Sequence, residues 1–118
     1  MRSRRRYLAV RLHTKEKLPS ESTFRNAVWQ QLQELYGELG VSRIGFWLIA
    51  YRQESHAAIL RCQHDQVEPL RAALAAMTNC NSTPLLLHVV GISGTIRKAV
   101  SLLPQLDARD VIKPRKHR

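Results

Sequence analysis

The apolar residues of this chain change their spacing from two to three-or-four and back again in a set order, and that order constrains the fold more than any other feature. From Arg6 to His13, Leu8, Val10 and Leu12 alternate with Tyr7, Ala9 and Arg11, which is the period of a half-buried strand. After Pro19-Ser20, Ser22 stands where it can cap a helix whose Phe24, Val28, Leu32, Leu35, Tyr36 and Leu39 recur every three or four residues up to Gly40. The runs RIGFWLIAYR and SHAAILRC, parted by the Gln53-Glu54 corner, predict a hairpin of second and third strands. Asp65 with Glu68 makes a capping-box-like start for a second helix with the stripe Val67, Leu70, Leu74 and Met77, ending near Asn79. PLLLHVV supplies a fourth strand, and TIRKAVSLL a short third helix stopped by Pro104.

The order β-α-β-β-α-β with an added C-terminal helix predicts an α/β (α+β) two-layer sandwich of the ferredoxin-like or RNA-recognition-motif-like kind. With 118 residues there is length for one such domain and a real core, and none for a second. Residues 1–118 therefore read as a single RNA-binding-type domain with a basic N-terminal arm (1–6) and a basic C-terminal tail (105–118).

A two-layer sandwich covers one sheet face with helices and turns the other to water. Here the second strand sets Ile44, Phe46 and Leu48 against Trp47, Ile49 and Tyr51, and the fourth sets Leu85, Leu87 and Val89 against Leu86, Val90 and Ile92. Both faces want cover. The third helix is expected to pack over part of the open face, and a protein partner or a second copy to cover an edge strand, with Trp47, Ile49 and Tyr51 at the partner interface.

Nineteen Lys and Arg against nine Asp and Glu leave a formal net charge of +10, which points to a polyanionic partner. Eight of the nineteen cations lie in the terminal MRSRRR and KPRKHR, arms suited to neutralising phosphates. SRRRYLA superficially resembles an export signal, but Arg11 interrupts the apolar run that follows, and no membrane span follows from it. Cys62 and Cys80, with no secretory segment, read as free thiols of a reducing, intracellular compartment.

Catalysis finds little support. Cys62, His64, Cys80 and His88 lack the tight spacings of a metal site, so no metal ligands are assigned. No nucleophile elbow, paired carboxylates or triad order is present, and no catalytic residue is assigned. The glycine-rich loop of acylphosphatase-type enzymes is replaced by RLHTKEKLPS. The third strand carries no aromatic residue, so the usual base-stacking platform of RNA-recognition motifs is not expected. In GISGTIRKA, by contrast, Ser93 is a good N-cap, and the amides of Thr95, Ile96 and Arg97 would be free for an anion at the helix start. Arg97 and Lys98 oppose the helix dipole there, a disadvantage that a bound phosphate reverses. The glycine-lysine-Ser/Thr ending of a nucleotide-hydrolysing loop is missing.

RRYLAVRL, AAILRCQHDQVEPLRAAL and above all HVVGISGTIRKA resemble, in order over roughly residues 4–103, the ribonuclease P/MRP protein family of the Pop-five/Rpp-fourteen type, called ribonuclease P protein component 2 in archaea. The resemblance implies an RNA-recognition-motif-like sandwich and a non-catalytic subunit of a ribonucleoprotein that removes 5′ leaders from precursor tRNA. In that particle the RNA performs the Mg2+-dependent endoribonuclease reaction, and the protein itself binds no cofactor. It also implies partnership with the ribonuclease P RNA, precursor tRNA and an Rpp-thirty-type protein subunit, with room for two copies of the chain in a heterotetramer. The RNA-facing residues it implies are Arg5, Arg6, Ser93, Thr95, Arg97 and Lys98, with Arg61 beside them. Its compactness resembles the archaeal form, hence an archaeal cytoplasm; a eukaryotic source would imply the nucleus or nucleolus. The alternative from the residues alone is a protein-interaction module whose basic tails bind nucleic acid nonspecifically.

Overall fold

The computed structural model describes residues 4–104, 106 and 108–112. Its elements are β1 (Arg5–His13), α1 (Glu21–Ile44), β2 (Trp47–Arg52), β3 (Ala57–Gln63), α2 (Val67–Ala76), β4 (Asn79–Cys80), β5 (Thr83–Pro84), β6 (Leu86–Ser93) and α3 (Ile96–Ser101). Single 3-10 turns occupy His64–Gln66 and Ala108–Asp110. The main sheet has the order β2-β3-β1-β6 and is antiparallel throughout, the arrangement of a ferredoxin-like α+β sandwich. A small β4-β5 hairpin, too short for any periodicity to reveal, links α2 to the edge strand.

Phe24, Val28 and Leu32 of α1 and Leu70, Ala73 and Leu74 of α2 close over Leu8, Val10, Leu12, Leu48, Leu60 and Leu87 to form the larger core. The N-cap of α1 is Ser20 rather than the expected Ser22: its hydroxyl accepts from the Thr23 amide at 3.3 Å. The helix also does not stop at Gly40. Gly37, at φ 73°, breaks it, and helical geometry resumes to Ile44. Only glycine enters that backbone region without strain, and the break resets the helical phase. Val41 and Ile44 consequently turn inward, while Leu39 is 76% exposed and Leu35 is exposed beside it. Tyr36 takes the inward place, its hydroxyl donating to the Pro69 carbonyl. At α2 the expected capping box is not formed: Gln66 holds the N-cap position, with no side-chain hydrogen bond, and a 3-10 turn through Asp65 leads in.

The second sheet face has its own small core. Ala99, Leu103 and Leu106, from α3 and the chain after it, lie on Ala9, Ala50, Ala57 and Ile59. Small residues on the strands let the short helix approach closely; a Cβ at Gly91 would stand 2.6 Å from Leu102 Cδ1. The third helix therefore covers part of the open face, as the doubly apolar strands require.

Two bulges alter the simple alternation. The β2/β3 register slips between Leu48 and Ala50, so that Ala50 opposes Ile59 and Tyr51 opposes Ala58. One extra residue moves every later side chain to the opposite face. Tyr51 is thereby separated from Trp47 and Ile49, with which strict alternation had grouped it. Its ring stacks on Phe24 at 5.0 Å and its hydroxyl donates to the Pro19 carbonyl. A similar slip falls between Ala9 and Val10 in the β1/β6 ladder.

The termini are also less arm-like than their charge suggests. Arg5 and Arg6 are strand residues paired with Gln63 and Cys62, and the Arg4 carbonyl accepts from the His64 amide. In the segment 105–118, read from sequence as a tail, Val111 bridges Ala50, the Ile112 amide donates to the Ile49 carbonyl, and Asp110 pairs with Arg52 at 3.4 Å. This segment blunts the β2 edge, a position that otherwise invites foreign strands. Residues 1–3, 105, 107 and 113–118 of the expected arms lie outside the described residues.

Candidate nucleic-acid interface

The loop from β6 into α3 carries most of the residues assigned to phosphate binding. Ser93 closes the strand opposite Tyr7, but the helix cap is Thr95, whose hydroxyl accepts from the Lys98 amide at 3.2 Å. The Ser93 hydroxyl instead accepts from the Thr95 amide. The expected cradle of three free amides thus shrinks, because the Thr95 amide is already used. What remains at this end is charge: Arg97 and Lys98 are both exposed on the first turn. Arg6 joins them from β1. Although alternation turns it away from Arg5, its Nη1 donates to the Arg5 carbonyl and lies 3.9 Å from where a Cβ on Gly94 would stand.

The ladder then brings together residues that the sequence leaves far apart. Trp47 opposes Arg61, Arg61 opposes Tyr7, and Tyr7 opposes Ser93, so one row crosses all four strands on the face that α3 covers only in part. Arg5 is in the next row on the same face of β1. The Arg61 guanidinium sits 5.7 Å from the centroid of the Trp47 ring, within cation–π range, and that indole is 55% exposed. Arg61 Nε is buried without a hydrogen-bond partner. Burial, and then the charge of Arg5, pull the Arg61 pKa below its usual value, with Tyr7 opposing. Among the described residues no carboxylate forms an ion pair with Arg61; Glu21 pairs with Arg25, and Glu54 and Asp110 with Arg52.

Sequence reasoning missed this row in one respect. The third strand indeed lacks an aromatic residue, but Trp47 and Tyr7 flank it from the neighbouring strands. The signal was present in the alternation of Tyr7 with Ala9 and Arg11, yet only the register shows that Tyr7 and Trp47 sit either side of Arg61.

A second basic group lies at the far end of the same sheet. Arg11 opposes His88, and the His13 and His88 rings are 6.2 Å apart. An open hollow of about 480 Å3 is lined there by Arg11, His13, Thr14, Lys15, Ser55 and His56. Among the described residues no acidic side chain lines it. Among the described residues no three His, Cys, Asp or Glu side chains come together in a way that could hold a metal ion. Cys62 and Cys80 are both buried free thiols. Burial, with Asp65 adding to it, pushes the Cys62 thiol up to about 11, and burial alone raises that of Cys80. Both are protonated and poorly nucleophilic at neutral pH.

The fold and these surfaces define an α+β sandwich with a basic and aromatic row across one sheet face. The family model described as the Rpp14/Pop5 family matches residues 6–103, and the chain belongs to that family. It is 30% identical over 98 residues to ribonuclease P protein component 2 of Pyrococcus abyssi, spanning 83% of this chain and 82% of that protein. It is 34% identical over 99 residues to the protein of the same description from Methanocaldococcus jannaschii, spanning 84% and 72%. The Methanosarcina mazei protein is 33% identical over 99 residues, spanning 84% and 83%. A chain in the cryo-EM structure of yeast ribonuclease MRP is similar in fold, with a TM-score of 0.63 over 78% of this chain and 75% of that one at 12% identity. No described helix is long and apolar enough to cross a membrane.

Proposed function

We propose that this chain is a non-catalytic protein subunit of ribonuclease P that binds the catalytic RNA and supports removal of the 5′ leader from precursor tRNA. The observation that carries the reading is the family membership over residues 6–103, joined to a sheet face that carries Arg5 and Arg61 and a following helix that exposes Arg97 and Lys98, none of them in an ion pair with a described carboxylate. In this role Arg97 and Lys98, exposed beside the Thr95 cap, neutralise backbone phosphates and release their counterions. Arg5 and Arg61 do the same from the sheet, and Arg6, Ser93 and Thr95 shape the loop that presents them. The chain contributes position and charge; the RNA contributes the reaction.

Mg2+ belongs to the RNA in this reading. The described carboxylates of the protein do not cluster, and the proposed contact surface is cationic. An Rpp-thirty-type subunit completes the assembly, with a second copy of this chain accommodated in a heterotetramer, in an archaeal cytoplasm. The exposed Leu35, Leu39, Leu86 and Leu102 are apolar surface available to protein partners.

The test is reconstitution of precursor-tRNA cleavage from the cognate RNA, the partner protein and this chain. Omission of the chain is expected to lower cleavage at limiting Mg2+, and the purified chain without RNA is expected to cleave nothing. Cleavage by the RNA-free protein, or no change on its omission, overturns the reading.

A further inference from the structure

We infer that the row Trp47, Arg61 and Tyr7 is a site for an unpaired nucleotide of RNA, with the base stacked on the Trp47 indole and its phosphate held by Arg61 and Arg5. This rests on the RNA-binding reading above and adds to it the kind of RNA element recognised. The three residues lie side by side across β2, β3 and β1, at the edge of the face that α3 leaves open. Trp47 offers more than half its surface on an edge strand, while Trp29, the other tryptophan, packs edge-on against Phe46 in the core layer. A large exposed indole with a cation held against it is a stacking surface already half built.

The charge around it decides the class of occupant. Trp47 was expected at a protein interface, but an apolar protein surface laid over this row would bury the Arg61 charge with its Nε still unsatisfied. A phosphate on the guanidinium supplies the countercharge that no described carboxylate gives it. The base must be unpaired, because in an A-form duplex the base faces are stacked on one another and the narrow major groove excludes side chains. Tyr7, half-buried on the inner side of Arg61, closes the row toward Ser93 and the basic start of α3, so a strand lying along it continues onto Arg97 and Lys98.

The experiment uses the full chain with a short oligoadenylate and a blunt RNA duplex of equal length as probes. In a Trp29→Phe background, checked by circular dichroism, Trp47 is the single tryptophan, and its emission is read. The oligoadenylate is expected to quench it on binding, and the duplex to leave it unchanged. Trp47→Ala in the wild-type background, an exposed change that leaves the fold alone, is expected to weaken oligoadenylate binding about tenfold, within the roughly 5- to 160-fold span of a stacked base. Duplex affinity should hold, and Trp47→Phe should recover most of the loss.

Failure of both RNAs to bind at any salt overturns the RNA-binding reading and this inference with it. Salt-dependent binding with unquenched Trp47 and equal affinities for wild type and Trp47→Ala overturns this inference alone. Loss of association with the Rpp-thirty-type protein in Trp47→Ala, with RNA binding intact, assigns the row to a protein partner instead.

Discussion

The two faces of the sheet are built on different principles. On one, Phe24, Leu32, Leu70 and Leu74 of two helices interlock with Leu8, Leu12 and Leu60, and the layer is apolar from edge to edge. On the other, a six-residue helix and the chain after it rest on Ala9, Ala50 and Ala57 and leave both ends of the face bare. The bare ends are where the basic residues sit: Arg5 and Arg61 at one, and Arg11, beside the His13 and His88 rings, at the other. The contrast teaches that the first face supplies the stability, while the second is closed just enough to fold and open enough to meet a polyanion.

The largest test of this contrast is mechanical. Phe24→Ala should cost about 3–5 kcal/mol in urea unfolding, the usual loss for a large buried aromatic side chain. Leu103→Ala should cost nearer 2 kcal/mol, the low end for a buried leucine, because the short α3 lid and the chain after it can settle into the space left. Equal losses would mean that α3 is a full core layer rather than a partial lid.

Next in size is the double change Arg97→Ala with Lys98→Ala. Unfolding should shift by no more than about 0.5 kcal/mol, since both side chains are exposed. The log-log salt slope of RNA binding should flatten by about 0.7–0.9 for each phosphate contact removed. Unchanged slope and cleavage stimulation would leave α3 as a plain capped helix and shift the RNA contact wholly to the sheet.

The smallest effect is titration within the first face. The Cys62 pKa is raised from 9.0 to about 11 by burial, so through this window the native state holds a proton that the unfolded state gives up. Stability from this group is complete below pH 9 and declines as pH rises from 9 toward 11. Cys62→Ser, followed by unfolding across that range, should flatten the alkaline decline. A decline that survives in the variant points to other groups.

The order of elements was legible from periodicity alone, since the alternation of Leu8, Val10 and Leu12 and the stripe of Phe24, Val28 and Leu32 are local patterns that no other packing satisfies as well. The basic residues before and within α3 were legible too, along with the need for a lid over the doubly apolar strands. Tertiary structure decided the rest. The bulge at Ile49 sends Tyr51 to the helical face, the break at Gly37 expels Leu39, and the chain through Ile112 turns back along β2. The row from Trp47 through Arg61 to Tyr7 exists only because three strands adopt one register. Local spacing dictates which way a side chain points along its own strand, but which residues meet across strands depends on hydrogen-bonded pairing over tens of residues, and a single inserted residue changes every neighbour beyond it.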